Sequence, residues 1–85
     1  MNIKILYFAR IKEAVNYSTE EIELPSTVLT VTALRNYLSL RGETWAGLFN
    51  GKQVVRAAIN HALVDDLATI KAGDEVAFFP PVTGG

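Results

Sequence analysis

Ile3–Ala9 is an apolar run rich in β-branched and aromatic residues, which predicts a β-strand whose alternation puts Ile3, Ile5 and Tyr7 on one face and Lys4, Leu6 and Phe8 on the other. Residues 10–16 show no sustained period and read as a connector with room for a helical turn. A second alternation over Ser18–Leu24 turns Ile22 and Leu24 inward and Glu21 and Glu23 to water, and Pro25 ends it. Two strands this close together predict an antiparallel hairpin. At Val31 the period becomes helical. Val31, Leu34 and Leu38, with Tyr37 at the margin, form one apolar stripe over Val31–Arg41. Thr30 is placed to cap this helix, Leu29 and Leu34 hold the two staple positions, and Gly42 supplies a left-handed stop.

Beyond the helix, Trp45, Leu48 and Phe49 mark residues 43–51 as a short turn that plugs the core. Gln53–Ile59 and Ala62–Val64 read as strands around a tight Asn60-His61 turn, and 65–71 as loop. Ala72-Gly73-Asp74 turns the chain into a last strand, Glu75–Phe79. The expected architecture is α+β: a ββαββ mixed sheet with one main helix across one face, its first and last strands parallel neighbours at the centre. Val76 and Phe78 belong to the core face, because Glu75 shares the other face with Ala77 and Phe79. Phe8 and Phe79, joined by Leu63, then stand on a sheet face with no helix over it. Contiguous exposed aromatics of this kind mark a partner site.

Eighty-five residues make one domain with one core, and 49% hydrophobic against 20% charged residues is ordinary for a globular chain. A net charge of −1 gives no footprint for nucleic acid. With no cysteine there is neither disulfide, thiolate nucleophile nor Cys-based metal site. No stretch approaches the length of a membrane span, and the first strand is too short and too charged for a secretory segment. A cytoplasmic location is therefore expected. His61 has no nucleophile to activate, and Asp65-Asp66 lack the further oxygen ligands of a calcium loop. Trp45 reads as core, and no glycine-rich phosphate loop exists. No metal or bound cofactor is expected.

The remaining candidate chemistry lies in Pro80-Pro81-Val82-Thr83-Gly84-Gly85. The expected division is a domain over 1–79 and a flexible diglycine tail over 80–85 that ends in a free carboxylate. Read alone, such an ending fits a reactive terminus or an inert polar tail. Glycine at both last positions removes side-chain obstruction, and two prolines restrict the approach. Six extended residues reach at most ~20 Å, enough to enter a partner's active site while the domain stays outside. A carboxylate must be activated before it reacts, for example as an acyl-adenylate. Without cysteine, the chain could carry sulfur only there, as a thiocarboxylate.

The segments 3–9, 30–34 and 58–64, and above all GDEVAFFPPVTGG over 73–85, resemble the small, sulfur-carrier subunit family of molybdopterin synthase, along the full length. That resemblance implies the β-grasp, ubiquitin-like fold. It also implies that Gly85 is adenylated by a ubiquitin-activator-like enzyme using ATP and converted to a thiocarboxylate. The tail then delivers sulfur to cyclic pyranopterin monophosphate inside the large synthase subunit, in a heterotetramer. Gly84 gives clearance, Phe79, Pro80, Pro81, Val82 and Thr83 line the approach, and Phe8 and Leu63 contribute to docking. No role is carried onto 17–29 or 43–52. The chain itself is expected to be a cosubstrate with no autonomous activity. Rival readings are a β-grasp sulfur carrier for thiamine thiazole synthesis or transfer-RNA thiolation, a ubiquitin-like protein modifier, and an interaction module with an inert tail.

Overall fold

A computed structural model describes residues 1–51 and 53–81. Strand β1 (Asn2–Tyr7) leads into helix α1 (Ala9–Val15) and strand β2 (Thr19–Glu23). Helices α2 (Val31–Ser39) and α3 (Glu43–Phe49) follow, then strands β3 (Arg56–Ile59), β4 (Ala62–Val64) and β5 (Glu75–Phe79). The strands form one sheet in the order β2-β1-β5-β3-β4. Only β1 and β5 run parallel, with Ile5 opposite Val76 and Tyr7 opposite Phe78; the other pairs are antiparallel. This is the mixed β-grasp sheet that the alternation and the resemblance predict.

The core forms on the face that the period-2 pattern selects. Ile3, Ile5, Tyr7, Val76 and Phe78 are buried there beneath Val31, Leu34 and Leu38 of α2. The helix starts where expected, since the Thr30 hydroxyl accepts the Ala33 N–H at 3.2 Å. Tying α2 to the turn after β4, Arg35 Nε lies 2.9 Å from Asp66 Oδ1, and Thr32 Oγ1 donates to the Asp66 carbonyl.

Several expected boundaries differ. Residues 9–15 are a two-turn helix, because Ile11 and Val15, four apart, both find the core; Asn16 closes it in the left-handed region at φ 64°. The first strand stops at Tyr7, two residues early, where Ala9 turns the chain at φ 51°. Residues 43–49 are likewise helical, with Leu48 and Phe49 buried. Gly42 is not the stop of α2: that helix closes at Leu40, and Gly42, at φ 152°, is the N-cap of α3. The expected staple residue Leu29 is half exposed, and Val28 is buried in its stead. The third strand begins at Arg56 instead of Gln53, because its partner β5 ends at Phe79, directly opposite Arg56. Ile70, in the segment read as loop, is a core residue.

Candidate docking face and tail root

The sheet face away from the helices carries the residues that alternation turns outward. Register places Thr19, Leu6, Ala77, Ala58 and Leu63 side by side across all five strands. Four of these five are apolar, and Leu63 at the margin is 67% exposed. Beside this row, two residues beyond Leu6, Phe8 follows β1 with 47% exposure, and its N–H donates to the Phe78 carbonyl at 3.1 Å. Phe79 lies on the same face and pairs with Arg56. Pro80 and Pro81, where the chain leaves the sheet, are half-buried. The expected face residues Phe8, Leu63 and Phe79 thus share one surface, and the tail starts from its Phe8–Phe79 end. Val82, Thr83, Gly84 and Gly85 lie outside the described residues.

The junction after Phe8 is strained. Ala9 at φ 51° occupies a region that costs an L-residue about 1–2 kcal/mol. This corner sends α1 to the core side while Phe8 stays on the open face. Arg10, the next residue, donates from Nη1 to Gln53 Oε1 at 2.9 Å and from Nη2 to the Val54 carbonyl at 3.1 Å. Two arginines, Arg10 and Arg56, therefore stand around the tail root.

The opposite end of the face carries more acidic than basic residues. Lys4 lies between Glu21 on β2 and Glu75 on β5, and His61 Nε2 is 3.7 Å from Glu75 Oε1. Asn60 secures this end: its side chain donates to Asp74 Oδ1 and accepts the Glu75 N–H, at 2.9 and 3.0 Å.

Behind the sheet, a polar cluster fastens β1, β2 and the α2–α3 junction. Glu20 accepts the Tyr7 hydroxyl at 2.8 Å and both terminal nitrogens of Arg41 at 2.8 and 2.9 Å. The Arg41 guanidinium lies 4.7 Å from the Trp45 ring centroid, and Trp45 meets Tyr7 edge-on. Burial, aided by the hydrogen bond to Glu20, pushes the Tyr7 phenol far above its ordinary range. Burial alone would raise the Glu20 carboxyl, but the bonds from Arg41 and Tyr7 outweigh it and hold it below its usual value. The Glu20 bond in turn raises Arg41. Trp45 is half-buried against the core, as the sequence suggests.

Among the described residues, no group of three or more His, Cys, Asp or Glu side chains could hold a metal, and no helix is long and apolar enough to cross a membrane. An open cavity of about 640 Å³ is lined by residues that include Asn2, Lys4, Glu21 and Gly73, at the far end of β1 from the tail root. What the described residues offer chemically is a binding face beside a chain exit. Sequence reasoning missed Arg56 and Ala58 there, although alternation outward from Ala57 and Ile59 places both on the open face. It also missed Arg10, whose contact with residues 53–54 leaves no trace in the local pattern.

The model of the ThiS family matches residues 5–85. The molybdopterin synthase sulfur carrier subunit of Escherichia coli strain K12 is 44% identical over 84 residues, 98% of this chain and 99% of that one. Among solved structures, SAMP1 from Haloferax volcanii aligns over 100% of both chains with a TM-score of 0.77; at 22% identity it speaks for the fold alone. The complex of subunits 1 and 2 of molybdopterin-converting factor from Helicobacter pylori 26695 contains a chain 27% identical, covering 100% of both, with a TM-score of 0.68.

Proposed function

We propose that this chain, which belongs to the ThiS family, is the sulfur carrier of molybdenum cofactor biosynthesis and the small subunit of a molybdopterin synthase. The observation that carries this reading is the 44% identity, along the whole chain, to a protein named for that role. The geometry agrees with it: an uncovered apolar row lies beside the point where a proline-led diglycine segment leaves the sheet.

The chemistry follows from the terminal carboxylate. Attack of the Gly85 carboxylate on the α-phosphorus of ATP, held by an activating enzyme, gives the acyl-adenylate and releases pyrophosphate. A sulfide-level sulfur then forms the C–S bond and expels AMP, leaving the thiocarboxylate. The charged carrier docks through Phe8, Leu63 and Phe79 on the large subunit. Pro80, Pro81, Val82 and Thr83 line the approach, and Gly84 lets the backbone pass without side-chain obstruction. The thiocarboxylate sulfur forms a C–S bond to cyclic pyranopterin monophosphate, and water then cleaves the acyl C–S bond, leaving sulfur on the substrate and restoring the carboxylate for another round. Two carriers in a heterotetramer supply the two sulfurs of one dithiolene. The domain supplies binding and the tail supplies the reacting atom.

Incubating the full chain with the cognate activating enzyme, ATP and a sulfide source tests this. Intact mass should rise by one sulfur-for-oxygen exchange, and the product should support dithiolene formation with the large subunit. A chain lacking Gly84-Gly85 should do neither. Dithiolene formation by that truncated chain would sink the sulfur-carrier role.

A further inference from the structure

The apolar row explains adhesion but not orientation. A flat strip of Leu6, Ala77, Ala58 and Leu63 could meet an apolar partner in more than one rotation. A tail that must enter a channel requires one. The charges on the face supply the missing direction. At one end, Lys4 stands between the acidic residues Glu21 and Glu75, which leaves that end with more acid than base. At the tail root, Arg10 and Arg56 take part in none of the ion pairs found among the described residues.

The backbone positions of both arginines are set by the fold, and the Arg10 side chain is tethered as well. Arg56 stands on a paired strand directly opposite Phe79, the last residue before the prolines. Arg10 is fixed by Gln53 and the Val54 carbonyl, which occupy one N–H on each terminal nitrogen. Its remaining donors can still receive a carboxylate.

We propose that Arg10 and Arg56 form a cationic collar at the tail root that docks against carboxylates at the mouth of the large subunit's channel, and so sets the rotation in which the tail enters. This rests on the sulfur-carrier reading above, since the large subunit is the occupant it names. Rim charges of this kind act mainly on association rate and its salt dependence, while the buried apolar contacts govern dissociation. A carboxylate-lined mouth would attract the collar, and a cationic mouth would be repelled.

The test is stopped-flow or surface association of the full chain with its cognate large subunit, across ionic strength. Arg56→Glu and the Arg10→Glu/Arg56→Glu pair should associate about 10-fold more slowly than wild type at low salt. The difference should shrink as salt screens the charges. Arg10→Lys keeps the charge and should stay near the wild-type rate. Arg56 takes part in no ion pair among the described residues, so Arg56→Glu carries the test alone if Arg10 variants unfold in a thermal melt. Wild-type rates and salt dependence in Arg56→Glu would overturn the collar while leaving the carrier reading intact. So would slowing seen only with the activating enzyme. A wild-type chain that does not bind the large subunit at all would remove both.

Discussion

Glu20 is the residue on which the rear of the sheet depends. Among the described residues it is the one that accepts from both Tyr7 on β1 and Arg41 beyond α2, so its removal strands two donors at once. Glu20→Ala should therefore cost about 2–3 kcal/mol, whereas Tyr7→Phe, which leaves the Arg41 pair intact, should cost about 1 kcal/mol in urea melts. The depressed Glu20 carboxyl also gives the acid limb a sign. Its contribution is complete above the ordinary carboxylate value of 4.5 and is lost as pH falls through the lower folded-state value. A Glu20→Gln variant should start less stable at neutral pH and lose less between pH 4.5 and acid unfolding. The raised Tyr7 phenol acts in the opposite sense: its protonated form is favoured by folding, so stability is lost as pH rises above 10.0. At Ala9, relief of the left-handed strain should outweigh the extra freedom of the unfolded chain. Ala9→Gly is accordingly expected to stabilise the fold by up to about 1 kcal/mol, read as a higher denaturation midpoint.

The helices differ in how plainly they could be read from sequence, and the reason is length. α2 shows three core residues at helical spacing behind a capping threonine, enough to define a period. α1 buries only Ile11 and Val15, and α3 only Leu48 and Phe49, so neither completes a recognisable stripe in seven residues. Tertiary packing holds them helical. Strand ends were illegible for a related reason: β3 starts at Arg56 because β5 supplies no partner beyond Phe79, a fact that resides in another segment. Gly42 illustrates the same limit: a glycine marks a helix boundary in sequence, but only the fold shows that it opens α3 and does not close α2. Open space surrounds the position where a Cβ would project, so the cost of Gly42→Ala is conformational and not steric. It is expected to destabilise by about 1–3 kcal/mol, mostly by loosening α3, with reduced hydrogen-exchange protection over 43–49 as the local readout.

At the scale of the whole molecule, the sheet divides labour between its faces. One holds the core; the other keeps an apolar row uncovered at the tail root. Alternation made that division legible, because Phe8 and Phe79 had to point away from Tyr7 and Phe78. The charge pattern around it was not legible, since Arg10 reaches residues 53–54 only through the folded chain. Leu63→Asp, at a margin position 67% exposed, should leave the melting curve nearly unchanged yet weaken binding to the large subunit at least ~10-fold by calorimetry. Equal affinity would move the docking site elsewhere. The strand order carries a consequence for synthesis. β5, the last strand to leave the ribosome, is the plank between β1 and β3, so neither half of the sheet can join the other until it emerges. A nascent chain stalled before Glu75 lacks the centre of its own sheet and is open to aggregation and proteolysis. A chain cut short before β5 therefore loses the centre of its sheet and the outward apolar row that this strand completes, both together.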